Sequence, residues 1–247
     1  MISAGENHTL AVTSGGDVFS WGSDRFGQLG YGGSDAGKGS FYPRKIENLK
    51  KAFVVAIAAG DTHSVCFTAD GEIYSWGSNK EGQLGIPPSE IGAGIGGGPG
   101  ISAPKRVYLR GSKKNTTNKS DNKFLFRASS SPLLQVAASR YTTLLLCRPE
   151  DYDQRTGSNS ALNAGIASAS TANEVYQWGH GSPYPTRVQF TRKLNPSMNS
   201  KEKDFKMDRF FSHRTAPIVN IVQLSAGLNH NVALSSIGHV YTWLVIT

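Results

Sequence analysis

The sequence predicts an all-β fold in which one antiparallel four-stranded sheet is copied along the chain as the blades of a β-propeller. Three observations predict it. First, Ala4-Gly5-Glu6-Asn7-His8 recurs as Ala59-Gly60-Asp61-Thr62-His63 and as Ala226-Gly227-Leu228-Asn229-His230. Second, a tryptophan follows each of those histidines at a spacing of 13: His8 to Trp21, His63 to Trp76 and His230 to Trp243. Third, short apolar runs alternate with turn residues at the interval of strands, in a chain with 28 glycines and only 18% charged residues.

The elements of each copy follow in order. Val54 to Ala59 reads as a first strand and His63 to Thr68 as a second. Ala69-Asp70-Gly71 reads as a tight turn into a third strand, Glu72 to Trp76. The same third strand appears as Gly16-Asp17-Val18-Phe19-Ser20-Trp21, Asn173-Glu174-Val175-Tyr176-Gln177-Trp178 and Gly238-His239-Val240-Tyr241-Thr242-Trp243. Gly16, Gly71 and Gly238 mark a left-handed turn, and Asn173, the other residue that tolerates that conformation, is expected to take it in the third copy. Pro43, Pro104 and Pro185, each followed by a basic and then a β-branched residue, are expected to open a fourth strand, where the missing N–H breaks no ladder bond.

Between third and fourth strands, Trp21-Gly22-Ser23-Asp24-Arg25-Phe26-Gly27-Gln28-Leu29-Gly30 matches Trp76-Gly77-Ser78-Asn79-Lys80-Glu81-Gly82-Gln83-Leu84-Gly85. In this combination of phrases the chain resembles the regulator of chromosome condensation (RCC) repeat family. That resemblance implies a disc-like propeller with seven blades in complete members. About three and a half repeats are covered, with approximate blades 1–49, 53–110, 133–190 and 218–247 in one domain, 1–247. Three and a half blades do not close a ring, so the sequence is expected to be an incomplete propeller, a piece of a longer protein. Two copies depart from the pattern. The third has Ala138-Ser139-Arg140-Tyr141-Thr142 in place of the histidine phrase, and Trp178-Gly179-His180-Gly181 runs to Pro185 without the Gly-Gln-Leu-Gly loop. The fourth lacks the glycine after Trp243. Inserts at 89–100, 111–132, 151–173 and 195–214 are polar or glycine-rich and read as loops.

Charge is local. The net charge is +8, but residues 101–130 carry eight Lys/Arg against one Asp and residues 187–214 eight against three, which leaves the rest net acidic. The candidates for contact with an acidic partner or with phosphate are Lys105, Arg106, Arg110, Lys113, Lys114, Lys119, Lys123 and Arg127. No phosphate-binding loop, nucleophile–base pair or metal-ligand spacing stands out, so no catalytic, cofactor-binding or metal residue is expected and the protein is read as a non-enzyme. His8, His63 and His230, repeated once per blade, are read as structural, as are Trp21, Trp76, Trp178 and Trp243 between blades. The glycines of the repeat, Gly5, Gly22, Gly27, Gly30, Gly60, Gly77, Gly82, Gly85, Gly179 and Gly227, are read the same way.

Two cysteines, Cys66 and Cys147, give no disulfide framework and suggest cytoplasm or nucleus. The longest nearly apolar run, Phe53 to Gly60, is too short for a bilayer, and no membrane partner is expected. The resemblance implies a protein-interaction scaffold. The third-strand and loop phrases are also similar to the branch in which these repeats accompany ankyrin repeats and BTB domains, as in the inhibitor of Bruton tyrosine kinase. Partners would there be a kinase or cullin-3 ubiquitin-ligase machinery. The alternatives are guanine-nucleotide exchange on a Ran-like small GTPase, and chromatin or other nucleic-acid binding through the basic insert.

Overall fold

The protein is described from a computed structural model covering residues 1–91, 100–108, 133–147, 172–190 and 219–244. Among the described residues fifteen strands form four meandering antiparallel sheets. Blade I holds β1 (Ile2–Ala4), β2 (His8–Val12), β3 (Val18–Gly22) and β4 (Ser40–Lys45). Blade II holds β5 (Val54–Ala59), β6 (His63–Thr68), β7 (Ile73–Ser78) and β8 (Gly100–Val107). Blade III holds β9 (Leu133–Ala138), β10 (Thr142–Cys147), β11 (Glu174–Gly179) and β12 (Ser182–Val188). Blade IV shows three strands, β13 (Ile221–Ala226), β14 (His230–Ser235) and β15 (Val240–Leu244). The sheets do not close into a ring, as expected of an incomplete propeller.

Both faces of each inner blade are apolar, because each packs on a neighbour. Leu10, Val12 and Val18 of blade I meet Val54, Ile57, Cys66 and Trp76 of blade II. Val65, Phe67 and Ile73 of blade II meet Val136, Leu145 and Trp178 of blade III, and Leu144, Leu146 and Val175 of blade III meet Ile221, Leu224 and Tyr241 of blade IV. The alternation along β6 therefore buries Cys66 toward one neighbour and Val65 toward the other, and all six of its residues are buried.

Two expectations are corrected. The prolines do not open their strands. Pro43, Pro104 and Pro185 lie inside β4, β8 and β12, each within three residues that oppose a single tryptophan: Phe41-Tyr42-Pro43 opposite Trp21, Ser102-Ala103-Pro104 opposite Trp76, and Pro183-Tyr184-Pro185 opposite Trp178. A proline is tolerated there because the outermost strand has one free edge and the bulge removes its ladder bond. Asn173, second, is not left-handed, whereas Gly16, Gly71 and Gly238 are, at φ of 81°, 81° and 82°. In the third copy residues 148–173 separate β10 from β11, far more than separate the corresponding strands of the other copies, so Asn173 is released from that geometry. Its amide instead donates to the Ile221 carbonyl of blade IV at 2.7 Å. Gly100, placed in an insert by the sequence, is the first residue of β8.

Candidate functional site

The β1–β2, β5–β6, β9–β10 and β13–β14 turns lie at the same end of their blades as the loops that follow β3, β7 and β11, because each sheet is a simple meander. That end is one face of the molecule. At its centre the innermost turns converge on a concavity of about 490 Å³, lined by Ala4-Gly5-Glu6, Ala59-Gly60-Asp61, Ala138-Ser139-Arg140 and Ala226-Gly227-Leu228. The backbone there is packed so closely that a Cβ on Gly5 would collide with the Gly60 carbonyl, and one on Gly60 with the Ser139 carbonyl. The chemistry differs at the third residue of each turn: carboxylates from Glu6 and Asp61, a guanidinium from Arg140 and an isobutyl group from Leu228. Arg140 Nε lies 3.5 Å from Asp61 Oδ2, and its guanidinium carbon 5.0 Å from the Tyr141 ring centre. Burial pushes the Asp61 carboxyl above the usual carboxylate range, the Glu6 charge adds to this, and Arg140 opposes both. Further out on this face, Arg25 and Lys80 sit over the Phe26 ring at 5.5 and 5.7 Å.

The histidine and tryptophan of the repeat build the frame beneath this face. His8 Nε2 lies 2.9 Å from Ser64 Oγ of blade II, and that hydroxyl donates to the Gln28 carbonyl of blade I at 2.8 Å. The hydroxyl has one proton, so Nε2 is the donor. Trp76 Nε1 donates to the same Gln28 carbonyl at 2.8 Å. The second junction repeats this: His63 Nε2 donates to Thr143 Oγ1 at 2.9 Å, and Thr143 donates to the Gln83 carbonyl at 2.9 Å. Burial lowers the His8 pKa to about 4 and, with the neighbouring His8, that of His63 to about 3. These imidazoles bind hydroxyls 56 and 80 residues away; each is committed to a different blade junction, and among the described residues no three His, Cys, Asp or Glu side chains form a metal-sized cluster.

The loops carrying Gln28 and Gln83 brace themselves. Asp24 Oδ1 accepts from Leu29 N at 2.7 Å and Asn79 Oδ1 from Leu84 N at 2.9 Å, while Ser20 and Ser75 donate to the Leu29 and Leu84 carbonyls. Gly30 and Gly85 touch Trp76 and Trp178 of the next blade; a Cβ on either would stand 2.7 or 2.9 Å from the indole nitrogen. Gly27 and Gly82 rest on the next blade's bulge, at Ser102 and Pro183.

Blade III replaces this apparatus. Its loop is a two-residue hairpin turn, with φ of 54° at His180 and 84° at Gly181. Without a loop carbonyl, the side chain of Gln177 takes over: Trp243 Nε1 of blade IV donates to Gln177 Oε1 at 2.7 Å, with the Asn231 amide beside it. Gln177 stands where blades I and II have Ser20 and Ser75. Sequence reasoning missed this residue; the coincidence of a changed side chain with a missing loop was the signal. It also missed the hydroxyls, although Thr9, Ser64 and Thr143 follow the histidine position directly, where blade IV has the Asn231 amide.

Of the basic candidates, Lys105 and Arg106 lie on β8, in the strand the sequence expected there. Arg106 pairs with Glu72 at 2.6 Å, and Lys105 donates to the Glu90 carbonyl. Arg110, Lys113, Lys114, Lys119, Lys123 and Arg127 lie outside the described residues. Among the described residues no helix is long and apolar enough to cross a membrane.

The family described as "Regulator of chromosome condensation (RCC1) repeat" matches residues 15–67 and 70–116, and a second description of the same repeat matches 54–83 and 221–243. The chain is 42% identical over 84 residues to the human E3 ubiquitin-protein ligase HERC2, covering 34% of this chain and 2% of that protein. Human WBSCR16 superposes over 99% of this chain and 47% of its own, with TM-score 0.60 and 16% identity. Prp20p of Saccharomyces cerevisiae, whose structure was described with its binding to Gsp1p and histones, does so over 99% and 44%, with TM-score 0.55 and 20% identity. The chain thus spans less than half of each of these proteins. The matches lend no support to kinship with the ankyrin and BTB branch, or to cullin-3 as a partner.

Proposed function

Since this chain belongs to the regulator of chromosome condensation repeat family, we propose that it is a protein-interaction module that receives a cationic segment of its partner in the axial concavity. One observation carries the reading: four turns closed by the same backbone hydrogen bond place Glu6, Asp61, Arg140 and Leu228 around a single 490 Å³ concavity, so the frame is constant while the chemistry on it varies. Two carboxylates against one guanidinium favour a Lys- or Arg-bearing segment, and the raised Asp61 pKa marks a carboxylate that gains by meeting a cation there. Repeat propellers separate scaffold from specificity in this manner, with function set by the loops. No reacting group is assigned. We place the work in the cytoplasm or nucleus, a reading supported by Cys66 and Cys147, both buried and neither in a disulfide.

Fluorescence anisotropy with a labelled Lys/Arg-rich peptide tests this. Binding is expected to weaken about tenfold in Glu6→Lys/Asp61→Lys and to fall with salt. Equal binding of an acidic control peptide, or no effect of the substitutions, defeats the reading.

A second reading, exchange on a Ran-like GTPase or binding to histones, draws support from the likeness to Prp20p, described with Gsp1p and histones. Release of a fluorescent GDP from Ran, accelerated by this chain, would favour exchange; histone-tail peptides in the anisotropy assay would report the other.

A further inference from the structure

The arginines of the outermost strands and the arginine of the axial concavity are held differently. Arg44, Arg106 and Arg187 each set a terminal nitrogen on a carboxylate, at 2.6, 2.6 and 3.0 Å. Arg140 instead faces Asp61 through Nε at 3.5 Å, and among the described residues it donates no hydrogen bond. Its side chain is placed all the same. The guanidinium carbon lies 5.0 Å from the Tyr141 ring centre, with the Asp61 charge beside it, and 47% of the side chain is exposed. What this leaves is a planar fork of donors, steadied at its root and open to solvent, the shape that a carboxylate meets with two parallel hydrogen bonds.

The turn that carries Arg140 has a described neighbour on either side around the axis, and all three are closed by the same backbone hydrogen bond. Asp61 stands on one side. Leu228 stands on the other, more than half exposed; its isobutyl group accepts nothing, so no side-chain acceptor there competes for the guanidinium. An anion alone is repelled by Glu6 and Asp61, whereas an anion carried beside a cation that those carboxylates attract is not. We propose that Arg140 takes a carboxylate of the partner, so that the segment received in the concavity has an Asp or Glu beside its Lys or Arg. This role rests on the concavity receiving a cationic segment, and it adds the second half of the recognition. Glu6 and Asp61 draw the cation, and Arg140, stacked on Tyr141, selects among cationic segments by the acid next to the charge.

Three labelled peptides of one length separate the outcomes by fluorescence anisotropy on the full chain: a Lys/Arg-rich peptide, the same peptide with one central Gln replaced by Glu, and an acidic control. The Glu-bearing cationic peptide is expected to bind about fivefold tighter than its Gln parent in spite of its lower net charge, the gain of one partly exposed ion pair, and the acidic control weakest. Arg140→Gln is expected to remove that preference and to leave the Gln parent bound at least as tightly, since it takes away a like charge. Arg140→Lys keeps the charge and loses the fork, and is expected to retain part of the preference. Far-UV spectra and melting temperatures check that these exposed-site variants fold. A Glu-bearing peptide no tighter than its parent, or an Arg140→Gln loss shared equally by both, overturns the proposal. Binding of the Gln parent that ignores Glu6→Lys/Asp61→Lys brings down the cationic-segment reading first, and the role of Arg140 with it.

Discussion

The junction between blades I and II and the junction between blades III and IV solve one problem with different parts. In the first, the polar atoms that β-sheet packing buries are satisfied by the repeat itself: one backbone carbonyl, that of Gln28, accepts from both Ser64 and Trp76, and His8 closes the chain of donors. In the second, histidine and loop are both gone, and the Gln177 side chain supplies the acceptor. A backbone carbonyl held by a braced loop costs no side-chain entropy, whereas a glutamine must surrender two or three rotamers to do the same. The difference teaches that the repeat specifies hydrogen-bond positions rather than residues.

The largest difference lies in the indoles. Trp76 is completely buried, so Trp76→Ala is expected to cost about 4 kcal/mol, from lost contacts and the cavity left behind. Trp243 is half-buried and braced by Phe190 at a ring distance of 5.5 Å, so Trp243→Ala is expected to cost about 2 kcal/mol. Urea midpoints measured on both variants decide; equal losses would erase the distinction between the junctions.

Acid separates them next. His8 and His63 are neutral when folded, with pKa values of about 4 and 3, both below the ordinary 6.5. Below pH 6.5 the unfolded chain takes up protons that the folded chain refuses. Stability present at neutral pH is therefore lost as pH falls toward those folded values, by about 1.4 kcal/mol per pH unit for each histidine. The junction of blades III and IV has Thr142 at that place and contributes no such slope. A His8→Gln/His63→Gln variant, less stable at neutral pH, is expected to show a flatter profile between pH 6.5 and 4; an unchanged slope would assign the acid sensitivity elsewhere.

A subtler test exchanges the two designs. A Cβ on Gly60 would strike the His63 ring, which is why glycine stands three residues before each repeat histidine. Blade III has Ser139 there, and its Oγ accepts from Thr142 N at 3.2 Å. Thr142→His alone is expected to destabilise, and Ser139→Gly to relieve it, with a coupling of about 2 kcal/mol in a double-mutant cycle followed by thermal melting. Additive effects would mean that serine and threonine are not a matched substitution.

The sequence made the strands legible where short apolar runs end at turn residues, as in Val54–Ala59 and His63–Thr68. It concealed the starts of β4, β8 and β12, because three residues opposite one tryptophan break the alternation. The axial site was visible only as a phrase whose middle residue varied. That Glu6, Asp61, Arg140 and Leu228 share one concavity depends on how blades pack, and a sequence period does not carry that. The repeat histidines were read as structural, but their partners 56 and 80 residues away belong to the next blade and answer to no local rule.

The smallest expected difference sits at the blade rims. Arg106 and Glu72 of blade II lie 2.6 Å apart and Tyr74 donates to the same carboxylate at 2.6 Å; Arg187, Glu174 and Tyr176 repeat the trio in blade III at 3.0 and 2.9 Å. In blade IV His239 stands where the carboxylate would. These pairs are partly exposed, so Glu72→Gln is expected to cost only about 0.5 kcal/mol. Its clearer mark is on Tyr74, whose pKa is pushed up to about 12, first by burial and then by the Glu72 hydrogen bond and charge. Removing the charge leaves burial in place, so ultraviolet titration of the tyrosinate is expected to show a pKa lowered but still above 10. A full return to 10 would mean that Glu72, not burial, dominates, and would turn the rim pair from a minor brace into the main electrostatic feature of its blade.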